Sequence, residues 1–359
     1  MMRQHILPVP PCAEPGVDPL AATGKNLRWG VVAPGQIARR VTADIALLED
    51  SVLQAVSSRS EANAANFAEE FGFISSYSDS NGVSGYQHLF NDPNVDVVYI
   101  ATPHSQHREV AEAALTAGKH VLCEKPFTVN AAEARALAEV AAANGVFLME
   151  AVWTRFLPSI NRAWDIIGSG ELGEIRWVQA DLGFVSAYDR NSRLWDPAAG
   201  GGALLDLAVY PLTWALGALG FPAHTAAQAT LTDDGVDMGN VLTLSYENGA
   251  NAQLITSIVA ACPGTATVSG SAGWLKASTP QCNPSDLTIT TTDGRSRVEA
   301  FEQIGSNYVY QLREVTRCIQ DGLTESPTMP WAHSIATMAL LDDIREQVGI
   351  RYASDQVTV

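Results

Sequence analysis

Basic residues are scarce in this chain of 359 residues, which has 22 lysines and arginines against 39 aspartates and glutamates. The formal net charge is −17, and a surface this acidic repels the phosphate backbone of nucleic acids. We therefore expect no nucleic-acid partner. We also expect any anionic ligand to be held by local groups against the overall field.

Paired cysteines and metal-binding motifs are also missing. The five cysteines are scattered and form no C-x-x-C pair, which predicts reduced thiols and a cytoplasmic location. No H-E-x-x-H motif, cysteine–histidine cluster or paired-carboxylate motif occurs, so no metal is predicted. Residues 1–26 lack a signal-peptide core and are predicted to form a flexible N-terminal arm.

One long apolar run is present, from Ala203 to Phe221. It contains Asp206 and Pro211, which favour a buried helix over a membrane span. We therefore expect no membrane partner.

Strands and helices alternate regularly between Leu27 and Glu150. Continuous apolar segments such as LRWGVVA, VDVVYIA and HVLCE are separated by amphipathic helical patterns. This alternation predicts a parallel sheet covered on both faces, and a doubly wound dinucleotide-binding domain over residues 27–150.

The character of the sequence changes after Glu150. Longer alternating segments appear, among them EIRWVQADLGF, NVLTLSYENG and ANAQLITSIVA. They predict a large mixed or antiparallel sheet with one exposed face, interrupted by a helix from Gly202 to Leu219 and followed by two closing helices. The fold class is therefore α/β, with a second, α+β domain over residues 151–359 that binds the substrate.

The turn after the first strand carries a partial dinucleotide fingerprint. Ala33 stands where the fingerprint has a turn glycine, and Gly35 stands where the backbone approaches a pyrophosphate. The helix that follows offers unpaired N–H groups to phosphates. A helix-initiating glycine is the alternative. Cofactor contacts are predicted at Gly30, Ala33, Pro34, Gly35, Gln36 and Ile37.

The second strand ends in Ser57-Ser58-Arg59-Ser60 rather than in an acidic residue. An acidic residue there would bind the ribose hydroxyls of NAD, whereas a guanidinium beside hydroxyls suits the 2′-phosphate of NADP. Ser58 and Arg59 therefore predict NADP as the preferred cofactor, with NAD left open. The alternative is a surface arginine next to a serine helix cap.

Two further strands deliver residues to the same edge of the predicted sheet. Lys125, in Glu124-Lys125-Pro126, is predicted to exchange protons beside the cofactor; a surface lysine is the alternative. The strand VDVVYIA is followed by a turn with two histidines, where a helix-start histidine is the alternative. Cofactor contacts are predicted at Thr102, Pro103, His107, Glu124, Lys125 and Pro126.

Asp206 and Tyr210 are four residues apart on the predicted Gly202–Leu219 helix, so they share one face. A buried carboxylate needs a cation, for which Lys125 is the candidate, and Tyr210 is placed to exchange a proton with a substrate. A capping aspartate and a core tyrosine are the alternatives. Trp153, Arg155 and Phe156 are candidates for a substrate wall, or else pack the domain junction.

Several segments together resemble the glucose–fructose oxidoreductase, inositol dehydrogenase and MocA (Gfo/Idh/MocA) family. They are VDVVYIATPHSQHREVAEAALTAGKHVLCEKPFTVNAAEA, LRWGVVAPG, MEAVWTRFLP, GGALLDLAVY and DGLTESPTMP. The last four resemble the branch of dimeric dihydrodiol dehydrogenases and NADP-dependent xylose dehydrogenases. The similarity runs from about Leu27 to Tyr352.

The resemblance implies a Rossmann domain and an open-faced sheet that mediates a homodimer or higher homo-oligomer. It implies Lys125 as the catalytic lysine, Tyr210 as the acid/base residue and Asp206 as their helper, with Arg59 on the 2′-phosphate. Three residues depart from the pattern: Ala33 replaces a turn glycine, Asn63 replaces a second phosphate-binding arginine, and Ala208 replaces a helix glycine.

The function expected from these features is NAD(P)-dependent hydride transfer from a sugar ring hydroxyl, such as C1 of xylose or glucose, to give a lactone. A trans-dihydrodiol dehydrogenase and a carbonyl or imine reductase are the enzyme alternatives. The non-enzyme alternative is a nucleotide-binding regulator, against which the joint presence of Lys125, Asp206 and Tyr210 argues.

Overall fold

The computed structural model describes residues 8–352 and residue 355, and divides them into two compact units. The first, called here the Rossmann unit, consists of Pro10–Trp153 and Ile304–Met338. The second, called the sheet unit, consists chiefly of Thr154–Gln303 with the chain from Ala339 onward.

The Rossmann unit contains a six-stranded parallel sheet in the order β3-β2-β1-β4-β5-β6. Its strands are β1 (Leu27–Val32), β2 (Ser51–Ser58), β3 (Ser75–Ser78), β4 (Val97–Ile100), β5 (His120–Glu124) and β6 (Leu148–Ala151). Its helices in this part of the chain are α1 (Gln36–Ile45), α2 (Glu61–Phe71), α3 (Gly85–Phe90), α4 (His107–Thr116) and α5 (Ala131–Asn144). The predicted parallel sheet is confirmed.

Local signals explain where these helices begin and end. The Ser60 hydroxyl accepts the N–H of Asn63 at the start of α2, and the Asn130 side chain accepts the N–H of Glu133 at the start of α5. Gly72 and Gly145 end the same two helices in the left-handed region, where glycine carries no Cβ penalty.

The described part of the N-terminal arm is packed rather than flexible, which corrects the prediction for residues 1–26. Cys12 is buried and its thiol donates to the carbonyl of Tyr310 at 3.2 Å. The buried Arg313 guanidinium donates to the carbonyl oxygens of Pro19 at 2.8 Å and Leu20 at 3.1 Å. Residues 1–7 lie outside the described residues.

The same contacts correct the domain boundary at residue 151. Tyr310 and Arg313 belong to α9 (Val309–Gln320), which is part of the Rossmann unit although it follows the whole of the second sheet. The helix-period pattern of α9 predicts an apolar face, but nothing in it indicates which unit that face covers.

The sheet unit contains an eight-stranded sheet in the order β14-β13-β12-β11-β7-β10-β9-β8. The strands are β7 (Ile175–Gly183), β8 (His224–Leu231), β9 (Asp237–Ser245), β10 (Asn251–Ser257), β11 (Ala266–Gly270), β12 (Gly273–Ala277), β13 (Asp286–Thr291) and β14 (Ser296–Ala300). Only the β7–β10 pair is parallel, so the sheet is mixed, as predicted.

One face of this sheet is covered and the other is exposed. Val178, Leu254 and Leu275 are fully buried on the face where α6 (Pro158–Ser169) and α8 (Val209–Leu219) pack. Trp177 and Trp274 point to the other face, where each retains more than a third of its exposure. The period-2 alternation of the strands produces this division.

The predicted single helix from Gly202 to Leu219 is two helices, α7 (Ala203–Leu207) and α8, with a bend of 43° at Ala208. Pro211 has no N–H to donate to the carbonyl of Leu207, which explains the break. No single helix of the described chain is long and apolar enough to cross a membrane, and this bent pair alone meets the length and composition criteria. The chain ends with α10 (Trp331–Val348).

Candidate active site

A cavity of about 430 Å³ lies at the carboxyl ends of the Rossmann strands. Parallel strands place their carboxyl ends at one sheet edge, which is where doubly wound folds bind nucleotides. The cavity is lined by Val32, Ala33, Pro34, Gly35, Ser57, Ser58, Arg59, Asn63, Asp79, Ser84, Tyr86, Thr102, Pro103, Gln106, Glu109 and Val110.

The turn between β1 and α1 forms one wall of the cavity. Ala33 adopts a φ of 67°, in the left-handed region that a glycine of the fingerprint would occupy without strain. A Cβ added to Gly35 would meet no atom within 4 Å, so the backbone there borders open space. Helix α1 begins without a side-chain cap, and its first N–H groups suit a phosphate.

Two buried hydroxyls in this wall match a polar ligand. The Oγ of Ser57 and the Oγ1 of Thr102 have no hydrogen-bond partner among the described residues, although both are buried. Buried hydroxyls in native proteins are normally hydrogen-bonded. A ligand with polar atoms in the cavity would supply the missing hydrogen-bond partners of these two hydroxyls. The residues present therefore fit a dinucleotide.

Charged groups line the cavity beyond β2. Arg59 is exposed, and no carboxylate of the described chain forms an ion pair with it, so its guanidinium is available to a phosphate. Asp79 lines the same cavity and accepts the N–H of Gly85 at 2.8 Å. Sequence reasoning missed Asp79 because β3, which precedes it, reads Ser-Ser-Tyr-Ser and carries no apolar strand signal.

Lys125 follows β5 directly and is half-buried. Its N–H donates to the Oε2 of Glu124 at 3.2 Å, and its peptide bond to Pro126 is cis. The hydroxyl of Tyr99 donates to the Oε1 of Glu124 at 2.6 Å. Glu124 is therefore a buried support for the turn and does not line the cavity; its contact with the cofactor stays a prediction.

His107 is fully buried and does not line the cavity either. Its Nδ1 lies 2.9 Å from the carbonyl oxygen of Pro126, and its Nε2 lies 3.0 Å from that of Thr102. Burial lowers the pKa of His107 to about 4, although the two carbonyls favour the charged ring. The residue holds two backbone segments together, and its contact with the cofactor stays a prediction.

Three other predicted cofactor contacts, Gly30, Gln36 and Ile37, do not line the cavity. Gly30 lies inside β1, where an added Cβ would come within 2.8 Å of the Leu89 side chain, so close packing explains this glycine. Gln36 and Ile37 form the first turn of α1, and their side chains do not belong to the cavity lining. Their backbone N–H groups stay predicted phosphate contacts.

Asp206 and Tyr210 lie in the sheet unit, on α7 and α8 respectively, which corrects the expectation of one shared helix. The Asp206 side chain is mostly buried, and one partner of its carboxylate is the guanidinium of Arg193 at 3.3 Å. Arg193 comes from a loop between β7 and α7 whose sequence gives no periodic signal. Tyr210 is half-buried.

A buried carboxylate fixes the start of α7. Asp237 accepts the N–H of Leu204 at 2.6 Å and the side-chain amide of Asn240 at 2.7 Å. Burial raises the pKa of Asp237 to about 6, against these hydrogen bonds. Gly202 has a φ of 117°, and a Cβ there would collide with the Asp237 carboxylate, so both residues are needed to position Asp206.

Trp153 and Phe156 are 7% and 0% exposed, which supports packing rather than a substrate wall. The Trp153 ring lies 4.5 Å from that of Tyr308 within the Rossmann unit. Arg155 is partly exposed, and its carbonyl accepts the side chain of Asn161 at 3.1 Å.

Comparison with known proteins identifies the family. Residues 27–152 match the oxidoreductase family with an NAD-binding Rossmann fold, and residues 160–276 match the GFO/IDH/MocA C-terminal domain. The trans-1,2-dihydrobenzene-1,2-diol dehydrogenase of Mus musculus is 34% identical over 342 residues, covering 92% of this chain and 99% of the relative. The chain belongs to the Gfo/Idh/MocA family.

Two further proteins similar to this Gfo/Idh/MocA protein have names that include NADP. The NADP-dependent D-xylose 1-dehydrogenase of Hypocrea jecorina is 32% identical, with 91% of this chain and 93% of the relative covered. The 3-ketoreductase KijD10 of Actinomadura kijaniata, solved with NADP and TDP-benzene, superposes with a TM-score of 0.80 at 27% identity, covering 91% and 99% of the two chains. The predicted family is confirmed, as is its class, an NAD(P)-binding oxidoreductase.

Proposed function

We propose that this protein oxidises a ring hydroxyl of an aldopyranose, such as C1 of xylose or glucose, with NADP as the preferred hydride acceptor. The observation that carries the proposal is the cavity at the carboxyl ends of the Rossmann strands. Its walls contain the exposed Arg59 and the buried hydroxyls of Ser57 and Thr102, which have no hydrogen-bond partner among the described residues. The xylose dehydrogenase relative, 32% identical over nearly the whole chain, supports the substrate class.

The chemistry divides between the cofactor and the chain. When bound, the nicotinamide accepts the hydride that leaves the sugar carbon. On the proton side we assign Lys125 and Tyr210 as acid/base groups: the proton of the reacting hydroxyl leaves through them to water, so the alcohol becomes a carbonyl and C1 of an aldose becomes a lactone. Asp206, held by Arg193, is assigned the support of Tyr210 within the sheet unit. The ion pair supplies the cation that a mostly buried carboxylate requires.

A spectrophotometric panel tests this function. The purified protein is mixed with aldoses, polyols and trans-dihydrodiols, with NAD and NADP in separate series, and reduction of the cofactor is followed. We expect the highest kcat/KM with an aldose and NADP. Highest activity with an aromatic trans-dihydrodiol, the substrate named for the Mus musculus relative, would replace the sugar assignment.

Two other outcomes would contradict the proposal. Strong NADPH oxidation by ketones or imines with little activity on sugars would make the protein a reductase. A tightly bound cofactor with no turnover on any compound would indicate a nucleotide-binding regulator.

The NADP preference rests on Arg59 and gives a prediction of its own. Arg59→Ala removes the charge-assisted hydrogen bonds to the 2′-phosphate, which are each worth about 1.5–3 kcal/mol. We expect the Kd for NADP to rise about 10- to 100-fold and the Kd for NAD to change less than about threefold. Fluorescence titration with each cofactor measures both. Equal weakening for NAD and NADP would show that Arg59 does not read the 2′-phosphate.

We also propose that the exposed face of the eight-stranded sheet binds a second copy of the chain. Ser269 lies in register between Trp177 and Trp274, and Val241 lies opposite Ile255, so exposed apolar side chains recur across the face. Contiguous apolar surface on a soluble protein marks an association site.

All five cysteines are free, in keeping with the proposed cytoplasmic location.

Trp274→Asp tests the dimer because it places a charge at the centre of this face. We expect light scattering to give the mass of a dimer for the wild type and of a monomer for the variant. Ile74→Asp is the control, since Ile74 is 67% exposed but lies in the Rossmann unit. A monomeric wild type, or a dimeric Trp274→Asp variant, would contradict the proposed interface.

A further inference from the structure

Buried side chains hold the backbone of Lys125 and of the residue that follows it. The N–H of Lys125 donates to Glu124 at 3.2 Å, and the carbonyl oxygen of Pro126 lies 2.9 Å from a ring nitrogen of His107. Both supports are buried, and both come from segments next to the turn. The direction in which the Lys125 side chain leaves the backbone therefore depends on groups that never reach the cavity.

A third support comes from the opposite side of the turn. The N–H of Phe127 donates to the Oε1 of Glu150 at 3.0 Å, and the Oε2 of Glu150 accepts the hydroxyl of Ser334 at 2.7 Å. Glu150 lies in β6 and is 3% exposed, and Ser334, in α10, is 2% exposed. A carboxylate this deeply buried is held in one geometry by its donors, because leaving it unsolvated without them is costly.

The segment that carries Ser334 is itself fixed to the edge of the sheet. The indole N–H of Trp331 donates to the carbonyl of Leu148 at 2.8 Å, and the N–H of Leu148 donates to the carbonyl of Thr324 at 3.0 Å. These bonds run along β6, the edge strand that carries Glu150. Ser334 therefore occupies a defined position about 200 residues after the turn in sequence.

We propose that Glu150, held by Ser334, is a positioning residue for Lys125. Its carboxylate fixes the turn from which the ammonium extends, so the C-terminal segment of the Rossmann unit takes part in catalysis without touching the substrate. The inference rests on the catalytic role proposed for Lys125. It assigns a function to the glutamate of the MEAVWTRF segment and to a serine that no motif includes.

Variants at both positions test the inference. Ser334→Ala removes a donor to Glu150, and Glu150→Ala removes the support of Phe127; Ser334→Thr and Glu150→Gln retain a hydroxyl and an oxygen acceptor. Misplacement of a catalytic group by about 1 Å costs on the order of 100-fold in rate. We expect kcat to fall about 100-fold in Glu150→Ala and about tenfold in Ser334→Ala, and to stay within about fivefold in the conservative variants.

Two further readouts separate positioning from general destabilisation. The Kd for NADP should change less than about threefold, because Arg59 and the first turn of α1 are untouched. The primary deuterium isotope effect on kcat, measured with a C1-deuterated aldose, should rise in Ser334→Ala because the chemical step becomes more rate-limiting.

The structure offers a matched control in Ser326→Ala. The Ser326 hydroxyl donates to the Oε1 of Glu314 at 2.7 Å, and both residues are buried in the Rossmann unit. This hydrogen bond involves no residue of the Lys125 turn. We expect a similar loss of thermal stability in Ser326→Ala with kcat unchanged.

An unchanged kcat and isotope effect in Ser334→Ala, with a lowered melting temperature in both serine variants, would overturn the inference and leave Glu150 a purely structural residue. This holds even where Glu150→Ala does not fold. Full turnover in Lys125→Ala would instead overturn the proposed function, so the two failures are distinguishable.

Discussion

Replacing Lys125 with alanine is expected to lower turnover about 10²- to 10⁴-fold, the range that a positioned proton-transfer group contributes. The Kd for NADP should change far less, because Arg59, which is proposed to bind the 2′-phosphate, is unchanged. Stopped-flow measurement of cofactor reduction gives the rate, and fluorescence titration gives the affinity.

Two variants sharpen the result for Lys125. Lys125→Arg keeps a positive charge but replaces the compact ammonium with a larger, planar guanidinium, so it should be nearly as slow as the alanine variant. Lys25→Ala removes an exposed lysine elsewhere in the Rossmann unit and should leave turnover unchanged. Wild-type turnover in Lys125→Ala would remove Lys125 from the mechanism.

Replacing Arg313 with methionine is expected to lower the free energy of unfolding of the Rossmann unit by about 3–5 kcal/mol, the usual cost of removing one partner of a buried ion pair. Its guanidinium lies 2.8 Å from the carboxylate of Asp50, and the two side chains are 3% and 0% exposed. The same guanidinium holds the carbonyls of Pro19 and Leu20. Urea unfolding, followed by tryptophan fluorescence, measures the change.

Acid should reduce this contribution in the wild type. Burial alone would raise the pKa of Asp50, but the N–H of Thr23, the amide of Gln320 and the Arg313 guanidinium outweigh it and lower that pKa overall. The stabilisation is therefore complete above the unfolded-state pKa of the carboxyl and is lost as the pH falls through the lower, folded-state pKa.

An exposed arginine provides the comparison for Arg313. Arg176 pairs with Glu174, but the two side chains are 51% and 54% exposed, so Arg176→Met should cost no more than about 1 kcal/mol. A loss in Arg313→Met as small as that in Arg176→Met would show that the buried pair does not hold the N-terminal segment in place.

The Rossmann sheet could be predicted because its central strands are mostly apolar and its helices are amphipathic. Two of the edge strands were harder: β3 reads Ser-Ser-Tyr-Ser, and β8 is rich in small and polar residues, so neither carries a hydrophobic period. These two strands bury little side-chain surface, and a sequence pattern reveals a strand only where one face of it is buried.

The candidate site shows the same division. Parallel sheets bind ligands at the carboxyl ends of their strands, which predicts a position at the cavity for residues that follow a strand. The cavity is lined, as predicted, by Ala33, Gly35, Arg59 and Thr102. His107 comes after β4, and Glu124 is the last residue of β5, but both side chains bind backbone groups instead of lining the cavity. The position of a residue relative to a strand does not predict the direction of its side chain.

Local sequence patterns could not predict which residues far apart in the sequence contact each other. Arg193, which pairs with Asp206, lies in an irregular loop, and Ser334, which donates to Glu150, lies on a helix near the end of the chain. The attachment of α9 to the Rossmann unit has the same origin, since helical periodicity shows that a face is buried but not which surface covers it.

Transfer of deuterium from a C1-labelled aldose to NADP tests the central claim most directly. The wild type, incubated with the labelled sugar and NADP, should yield reduced cofactor that carries one deuterium by mass spectrometry, and Lys125→Ala should yield it about 10²- to 10⁴-fold more slowly. Reduced cofactor without the label, or no reduction by any aldose, would contradict the account.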